Sequence, residues 1–225
     1  MGAVDVNGAA LEIERIVKRF GTRTLIEFDR ITFAPGELHL LVGDNGTGKT
    51  TFLKILSGLE TADEAAFSLN GREFRGGRYP DALRREIVYV HQHPYLFSTS
   101  VAANIAYGLK QRAIAGDVRD RAVAEAMQWA GLDAVRGVAP KRLSGGEKQR
   151  VALARALVLK APAMLIDEPT ANLDTNARDQ IKALLETLRA EGRIVIIATH
   201  DPEMTKLPGA TVWILADGRL ARRGV

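Results

Sequence analysis

The sequence predicts an α/β fold: a mostly parallel core sheet, an N-terminal antiparallel β portion and an inserted α-helical portion. Three observations carry this. First, ELHLLVG, EIVYVHQ, AMLID and RIVIIATH are short, dense apolar runs rich in β-branched residues, the pattern of strands covered on both faces. Second, helical patterns separate these runs, and strands alternating with helices imply crossover connections. Third, the ends carry strand and hairpin signals. LEIERI alternates apolar and charged residues, FSLNGREF has Asn70-Gly71 between two short runs, and TVWILADGRLARR repeats the pattern around Asp217-Gly218.

Taken in order, the helix KTTFLKILSG stops at Gly58 and DVRDRAVAEAMQWAGL stops at Gly131. NARDQIKALLETLRAEG sets Ile181, Leu184, Leu185 and Leu188 on one face and stops at Gly192, a C′ position. Between His93 and about Pro162 the patterns are helical, with no good strand. The expected organisation is one domain over residues 1–225, with sheet portions at about 1–92 and 163–225 and a helical insertion at about 93–162.

Composition narrows the class. Hydrophobic residues at 46% and charged residues at 26% suit a globular chain. The absence of cysteine excludes a disulfide scaffold, a thiolate metal site and a cysteine nucleophile, and fits a reducing compartment. The net charge of +4 fits an anionic small ligand, an anionic lipid surface or nucleic acid, or simply a solvated surface with a few extra arginines. Scattered basic residues and only 6% aromatics give little support to a dedicated nucleic-acid surface. MGAVDVNGAALEIERI has no basic start followed by an apolar core, so no signal peptide is expected. No run approaches the roughly 18 apolar residues that would span a bilayer.

GDNGTGKT, Gly43 to Thr50, fits G-x-x-x-x-G-K-[ST] and stands between a strand and a helix, the context this motif requires. Gly43, Asn45, Gly46, Thr47 and Gly48 form the loop, and Lys49, Thr50 and Thr51 open the helix. Inward backbone N–H groups and the helix N-terminus favour phosphate oxygens. Lys49 can reach β- and γ-phosphates, and the Thr50 hydroxyl can meet Mg²⁺. The loop by itself says only that a nucleoside triphosphate binds; kinases, GTPases and motors share it.

AMLIDEP is an apolar strand ending in two carboxylates, and ligands gather beyond the C-terminal ends of parallel strands. Asp167 suits a second Mg²⁺ contact through water, and Glu168 suits positioning or deprotonating an attacking water. The alternative is that both cap the turn at Pro169-Thr170. LSGGE poses a different question. Ser144 and Glu147 have capping-box spacing, but that leaves Gly145 and Gly146 unexplained, each costing up to ~1 kcal/mol against alanine. Bare backbone at a helix N-terminus admits a phosphate closely. The stretch therefore reads as a second phosphate clamp, one that a second copy of the chain could bring across an interface.

With these motifs in order, the chain resembles the nucleotide-binding subunit of an ATP-binding cassette (ABC) transporter over nearly its whole length. GDNGTGKT resembles the Walker A loop, Gln92 in VYVHQHP the Q-loop glutamine, LSGGEKQRVALARAL the signature helix, AMLIDEP the Walker B strand with its glutamate, ANLD the D-loop, and His200 in ATHD the switch histidine. The resemblance implies ATP and Mg²⁺ as ligands, with Thr50, Asp167 and Gln92 at the metal and Glu168, His200, Lys49 and Gln92 in hydrolysis. Two copies would pair head to tail, with Ser144, Gly145 and Gly146 gripping the γ-phosphate held by the partner's Lys49.

Phe20 in VKRFG sits where the family stacks an aromatic on adenine; core packing is its other reading. His91 and His93 flank Gln92, but no carboxylate or cysteine stands beside them to complete a metal site. Trp129 and Trp213 read as core. Two departures from the family stand out: GLETADEAAFSLNG lacks the glycine usual before that hairpin, and the D-loop has Asn172 where alanine is commoner.

The resemblance further implies a separate transmembrane permease docking near His93–Ala103, where Tyr95, Leu96 and Phe97 are either an anchor or internal packing. It also implies a solute-binding protein in the full system, no direct nucleic-acid partner, and a peripheral place on the cytoplasmic face of the inner membrane. A chain ending soon after the last hairpin is expected to lack the C-terminal regulatory domain of maltose and molybdate importer subunits. It is closer in style to compact bacterial importer subunits, including those of tungstate and similar oxyanions. Alternatives are a cassette for export, lipoprotein release or cell division, a non-transport cassette acting on DNA or ribosomes, and a P-loop kinase. The last would not explain LSGGE, ANLD and ATHD together.

Overall fold

Alternating charged and apolar residues build the first sheet. In the computed structural model, which describes residues 10–76 and 83–223, β1 (Leu11–Phe20) pairs antiparallel with β2 (Arg23–Phe33) and β4 (Glu64–Leu69), and β5 (Arg72–Arg75) completes the order β2-β1-β4-β5. Most of the N-terminal stretch behind the no-signal-peptide expectation lies outside the described residues. The β4–β5 hairpin turns at Asn70 and Gly71 with φ of 55° and 71°, the left-handed pair of a type I′ turn. β2 is a strand the sequence reading leaves unassigned. Its buried residues Ile26, Phe28, Ile31 and Phe33 lose strict alternation at Arg30, whose φ is 52°. Where the glycine usual before β4 is missing, Asp63 ties the approach to that strand to β1. Its N–H donates to the Val17 carbonyl at 2.9 Å, and its carboxylate accepts from the Arg19 N–H at 2.6 Å.

The dense apolar runs form a six-stranded sheet in the order β10-β9-β3-β8-β7-β6. Its strands are β3 (Leu38–Val42), β6 (Ile87–Val90), β7 (Ala163–Asp167), β8 (Ile194–Ala198), β9 (Ala210–Ala216) and β10 (Arg219–Arg222). β3 is parallel to β8 and β9, β7 is parallel to β8, and β10 folds back antiparallel on β9. Every residue of β7 and β8 is buried, which is why both read as unbroken apolar runs. The register aligns Leu41 with Ala198 and Ala198 with Asp167. The ends of β3, β8 and β7 thus fall in one row, and whatever follows each strand emerges on the same edge.

α1 (Lys49–Leu56) buries Phe52, Leu53, Ile55 and Leu56. Phe52 meets Phe28 edge-on at 5.0 Å between ring centroids, and Phe33 lies 5.2 Å from Trp213, which is core as expected. The Trp213 indole donates to His39 Nδ1 at 3.3 Å, and His39 Nε2 meets the Ala34 carbonyl at 2.9 Å. An indole can only donate, so the His39 proton sits on Nε2. Burial lowers the pKa of that imidazole and keeps it neutral.

A four-residue helix, α2 (Leu83–Glu86), precedes β6. The predicted helical region holds α3 (Val101–Gln111), α4 (Gly116–Trp129) and α5 (Gly145–Leu157) around Val101, Ile105, Leu109, Val123, Met127 and Val151. Trp129 is half-buried against this cluster. α6 (Thr175–Ala190) buries the four residues predicted for its inner face. The chain divides into two compact units. One is Met1–Tyr89, Pro162–Glu168 and Leu185–Val225; the other is Val90–Ala161 and Pro169–Leu184. Among the described residues no helix is long and apolar enough to cross a membrane.

Candidate functional site

The loop between β3 and α1 is shaped by glycines, two of which leave no room for a side chain. Gly43 and Gly48 have φ of 155° and 110°. A Cβ on Gly43 would fall 2.3 Å from the Leu215 carbonyl oxygen, and one on Gly48 would fall 2.8 Å from Ile26 Cγ2. Gly46 has open space around it, and its φ of 80° alone favours glycine. Thr47 Oγ1 donates to the Asp44 carbonyl at 2.9 Å and closes the loop, while Asn45 at its tip is exposed and Thr51 is half-buried. Lys49 is only 7% exposed, and its ammonium donates to the carbonyls of Gly43 at 2.6 Å and Asp44 at 3.0 Å. An ammonium has three donors, so an anion in the loop can still take the third. On one flank a cleft of about 470 Å³ lies between Gly43–Asn45 and His200, Asp201 and Arg223.

The two carboxylates of DEP take different environments. Asp167 is 3% exposed and accepts from Thr50 Oγ1 at 2.8 Å on Oδ2 and 3.1 Å on Oδ1. A hydroxyl and a carboxylate side by side are the hard oxygen donors that Mg²⁺ accepts together with phosphate. Among the described residues no three or more His, Cys, Asp or Glu are grouped so that they could hold a metal ion, and Mg²⁺ with a nucleotide does not require such a cage. Glu168 stands apart. Its Oε1 pairs with His200 Nδ1 at 2.8 Å, and its Oε2 accepts from the His200 N–H at 3.4 Å. Its own N–H donates to the Ala198 carbonyl at 2.9 Å. Its φ is 46° although it is neither glycine nor asparagine and precedes proline, a combination the backbone resists. Such a cost persists only where neighbours enforce it.

The LSGGE stretch contains a reciprocal capping box. Ser144 Oγ accepts from the Glu147 N–H at 3.2 Å, and the Ser144 N–H donates to Glu147 Oε2 at 2.7 Å. That N–H holds the Glu147 carboxyl below the usual range. The two glycines have separate causes. Gly146 is buried, and a Cβ there would lie 2.8 Å from Ala177 Cβ at the start of α6. Close helix packing therefore requires it, which the sequence reading did not foresee. Gly145 is exposed, and a Cβ would meet only Leu173 Cδ2 at an ordinary 3.6 Å. No packing among the described residues explains Gly145. Gly146→Ala is expected to lower stability by about 1–3 kcal/mol, while Gly145→Ala stays within about 0.5 kcal/mol of wild type. Thermal unfolding of both, with Ala177→Gly added to the first to recover part of the loss, checks the distinction; equal melting would contradict it.

Phe20 is 56% exposed rather than core, with Lys18 Nζ 4.9 Å from its ring centroid. Gln92 lies in the bend after β6 and is half-buried. His91 Nδ1 accepts from the His93 N–H at 3.0 Å, a local turn contact. Leu96 packs against the helical core, Phe97 is half-buried with its ring 4.4 Å from the exposed Tyr107, and Tyr95 is 73% exposed. Asn172 has φ of 59°, a conformation asparagine adopts more cheaply than alanine. One unit thus holds Phe20, Gly43–Thr51, Asp167, Glu168 and His200; Gln92 and Ser144–Gly146 belong to the other.

Two residues escape the sequence reading, and a third, Asp174, enters it only as part of the ANLD motif. Tyr89 Oη donates to Asp167 Oδ2 at 2.9 Å; burial first, then the Asp167 charge, pushes its pKa well above the ordinary phenol value. No local pattern announces this, because it depends on β6 lying beside β7. Asn104, fully buried, accepts from the Phe97 N–H at 2.8 Å and donates to the Phe97 and Ser100 carbonyls at 3.0 Å, which fixes the loop before α3. Asp174 accepts from the Ala177 N–H at 2.8 Å, capping α6; its N-cap spacing was a readable signal.

A family model described as ABC transporter matches residues 29–171. The Fe(3+) ions import ATP-binding protein FbpC 3 of Rhodococcus jostii (strain RHA1) is 39% identical, over 96% of this chain and 62% of that protein. The tungstate uptake system ATP-binding protein TupC of Peptoclostridium acidaminophilum is 33% identical, over 93% of this chain and 96% of that protein. The dimeric post-hydrolysis structure of the ATP-binding cassette MJ0796 with ADP and Pi superposes with a TM-score of 0.82 at 27% identity, covering 96% of this chain and 100% of that one. The chain spans less than two thirds of the iron relative and nearly all of the tungstate relative. Matched by the family model over more than half its length, the chain belongs to the ABC transporter family.

Proposed function

We propose that the chain hydrolyses ATP to ADP and phosphate to power import of a small solute, such as an oxyanion, through a separate transmembrane permease. Residues 1–225 act as one nucleotide-binding domain, in head-to-tail pairs on the cytoplasmic face of the inner membrane. The observation that carries the reading is the row at one sheet edge. Lys49 and Thr50 follow β3, Asp167 ends β7 with Glu168 next in the chain, and His200 follows β8, with Thr50 bonded to Asp167 and Glu168 to His200. Support for import comes from the iron and tungstate relatives, for an oxyanion from the tungstate relative, and for pairing from the dimeric neighbour.

In this reading the loop Gly43–Thr51 wraps the phosphates, Lys49 neutralises the β- and γ-groups, and Phe20 stacks on adenine. Thr50 and Asp167, with Gln92, hold Mg²⁺, which when bound neutralises charge building on the phosphate oxygens. Glu168 orients a water and accepts its proton. The water oxygen bonds to the γ-phosphorus as the bond to the bridging oxygen breaks, and that oxygen leaves on ADP. His200 holds the Glu168 carboxylate in place and senses the γ-phosphate. The second clamp comes from Ser144, Gly145 and Gly146 of the other copy. His93–Ala103, with Tyr95 exposed, is the docking surface for the permease.

Lys49→Ala is expected to lower kcat/KM for ATP by about 100-fold or more, the scale of losing a charge-stabilising donor at a reacting centre. Phosphate release by the purified chain measures it; a wild-type rate would remove the loop from the reaction. A gene for a solute-binding protein beside this one would favour import, and an efflux system there would count against it.

A further inference from the structure

We propose that Tyr89 is a positioning residue for the metal-binding carboxylate, its hydroxyl committing one oxygen of Asp167 so that the other is presented to the nucleotide-bound metal. The proposal rests on the ATPase reading above. Asp167 is almost fully buried, and a carboxylate out of water must be held by donors. Among the described residues two hydroxyls reach it. Thr50 Oγ1 lies 2.8 Å from Oδ2 and 3.1 Å from Oδ1, but it has one proton and is itself a metal ligand in the proposed site. Tyr89 Oη lies 2.9 Å from Oδ2 and has no metal to serve.

Tyr89 is also the more rigid of the two donors. It stands in β6, next to β7 in the sheet, and its ring packs against the main core, so backbone pairing and packing both fix the hydroxyl. Oδ2 thus carries the Tyr89 bond and the shorter Thr50 contact, while Oδ1 keeps only the 3.1 Å contact. Oδ1 is the oxygen left to face a metal or a metal-bound water. Without the phenol, the carboxylate could turn about its Cβ–Cγ bond and share both oxygens with Thr50. Partners of this kind orient metal ligands, and removing them weakens metal binding by about 10–100-fold.

Tyr89→Phe keeps the ring and deletes the one O–H. The test uses Mn²⁺ in place of Mg²⁺, followed by electron paramagnetic resonance, with the full chain saturated by a non-hydrolysable ATP analogue. The variant should bind the analogue in EDTA as wild type does, yet its Mn²⁺ dissociation constant should rise about 10-fold or more. Asp167→Asn serves as the comparator. If Asp167→Asn weakens Mn²⁺ and Tyr89→Phe stays within about twofold of wild type, Tyr89 does not position the carboxylate and only this proposal fails. If Asp167→Asn has no effect either, the metal assignment falls with it. Loss of analogue binding by Tyr89→Phe in EDTA would make the residue a structural support and would equally overturn the proposal.

Discussion

Glu168→Gln is expected to leave ATP binding intact, cut hydrolysis by about 10²–10⁴-fold and accumulate an ATP-bound dimer. The amide keeps the size of the carboxylate and its hydrogen bond to His200, so the fold has no reason to change. It cannot accept a proton from water, and the proposed role ends there. The backbone supports the choice of residue. Glu168 has φ of 46° immediately before Pro169, held by its bond to Ala198 and its pair with His200. A left-handed residue costs of the order of 1–3 kcal/mol and persists where surrounding structure enforces it. A residue serving only to end β7 would have no use for that geometry. Phosphate release and a sizing column run with ATP give the two readings; turnover at the normal rate would remove Glu168 from the chemistry.

Ser144→Arg should spare nucleotide binding by the single chain and abolish ATP-driven pairing. Ser144 is exposed at the start of α5, and its side-chain partner is the Glu147 N–H. Losing that cap costs about 1 kcal/mol, too little to unfold the chain. Ser144→Ala removes the same cap without adding bulk or charge, so it should show the stability loss while still pairing to a measurable extent. The difference between the two isolates the obstruction at the interface. A sizing column in the Glu168→Gln background reads it; undiminished dimer with Ser144→Arg would contradict the second clamp.

Much of the fold was legible because it rests on short-range patterns. β7 and β8 are wholly buried and read as continuous apolar runs, and Asn70-Gly71 and Asp217-Gly218 turn as such pairs do. β2 was hidden where Arg30 breaks the alternation. The loop Gly43–Thr50 and the DEP carboxylates were visible as motifs, but the Tyr89 contact was not, since it depends on which strands become neighbours. LSGGE was half legible. The capping box follows from spacing, whereas the need for Gly146 comes from Ala177, a residue 31 positions on that packs against it. Gly145, in contrast, has no packing reason among the described residues.

A crystal structure of the Glu168→Gln chain trapped with ATP measures the composite site directly, through the distance from Ser144 Oγ to the γ-phosphate bound on the partner's Lys49. A shared site places Ser144 Oγ at hydrogen-bonding distance, about 2.6–3.0 Å, with the Gly145 N–H turned to the same phosphate. Complete phosphate coordination by a single copy, with Ser144 and Gly145 facing solvent, would contradict it.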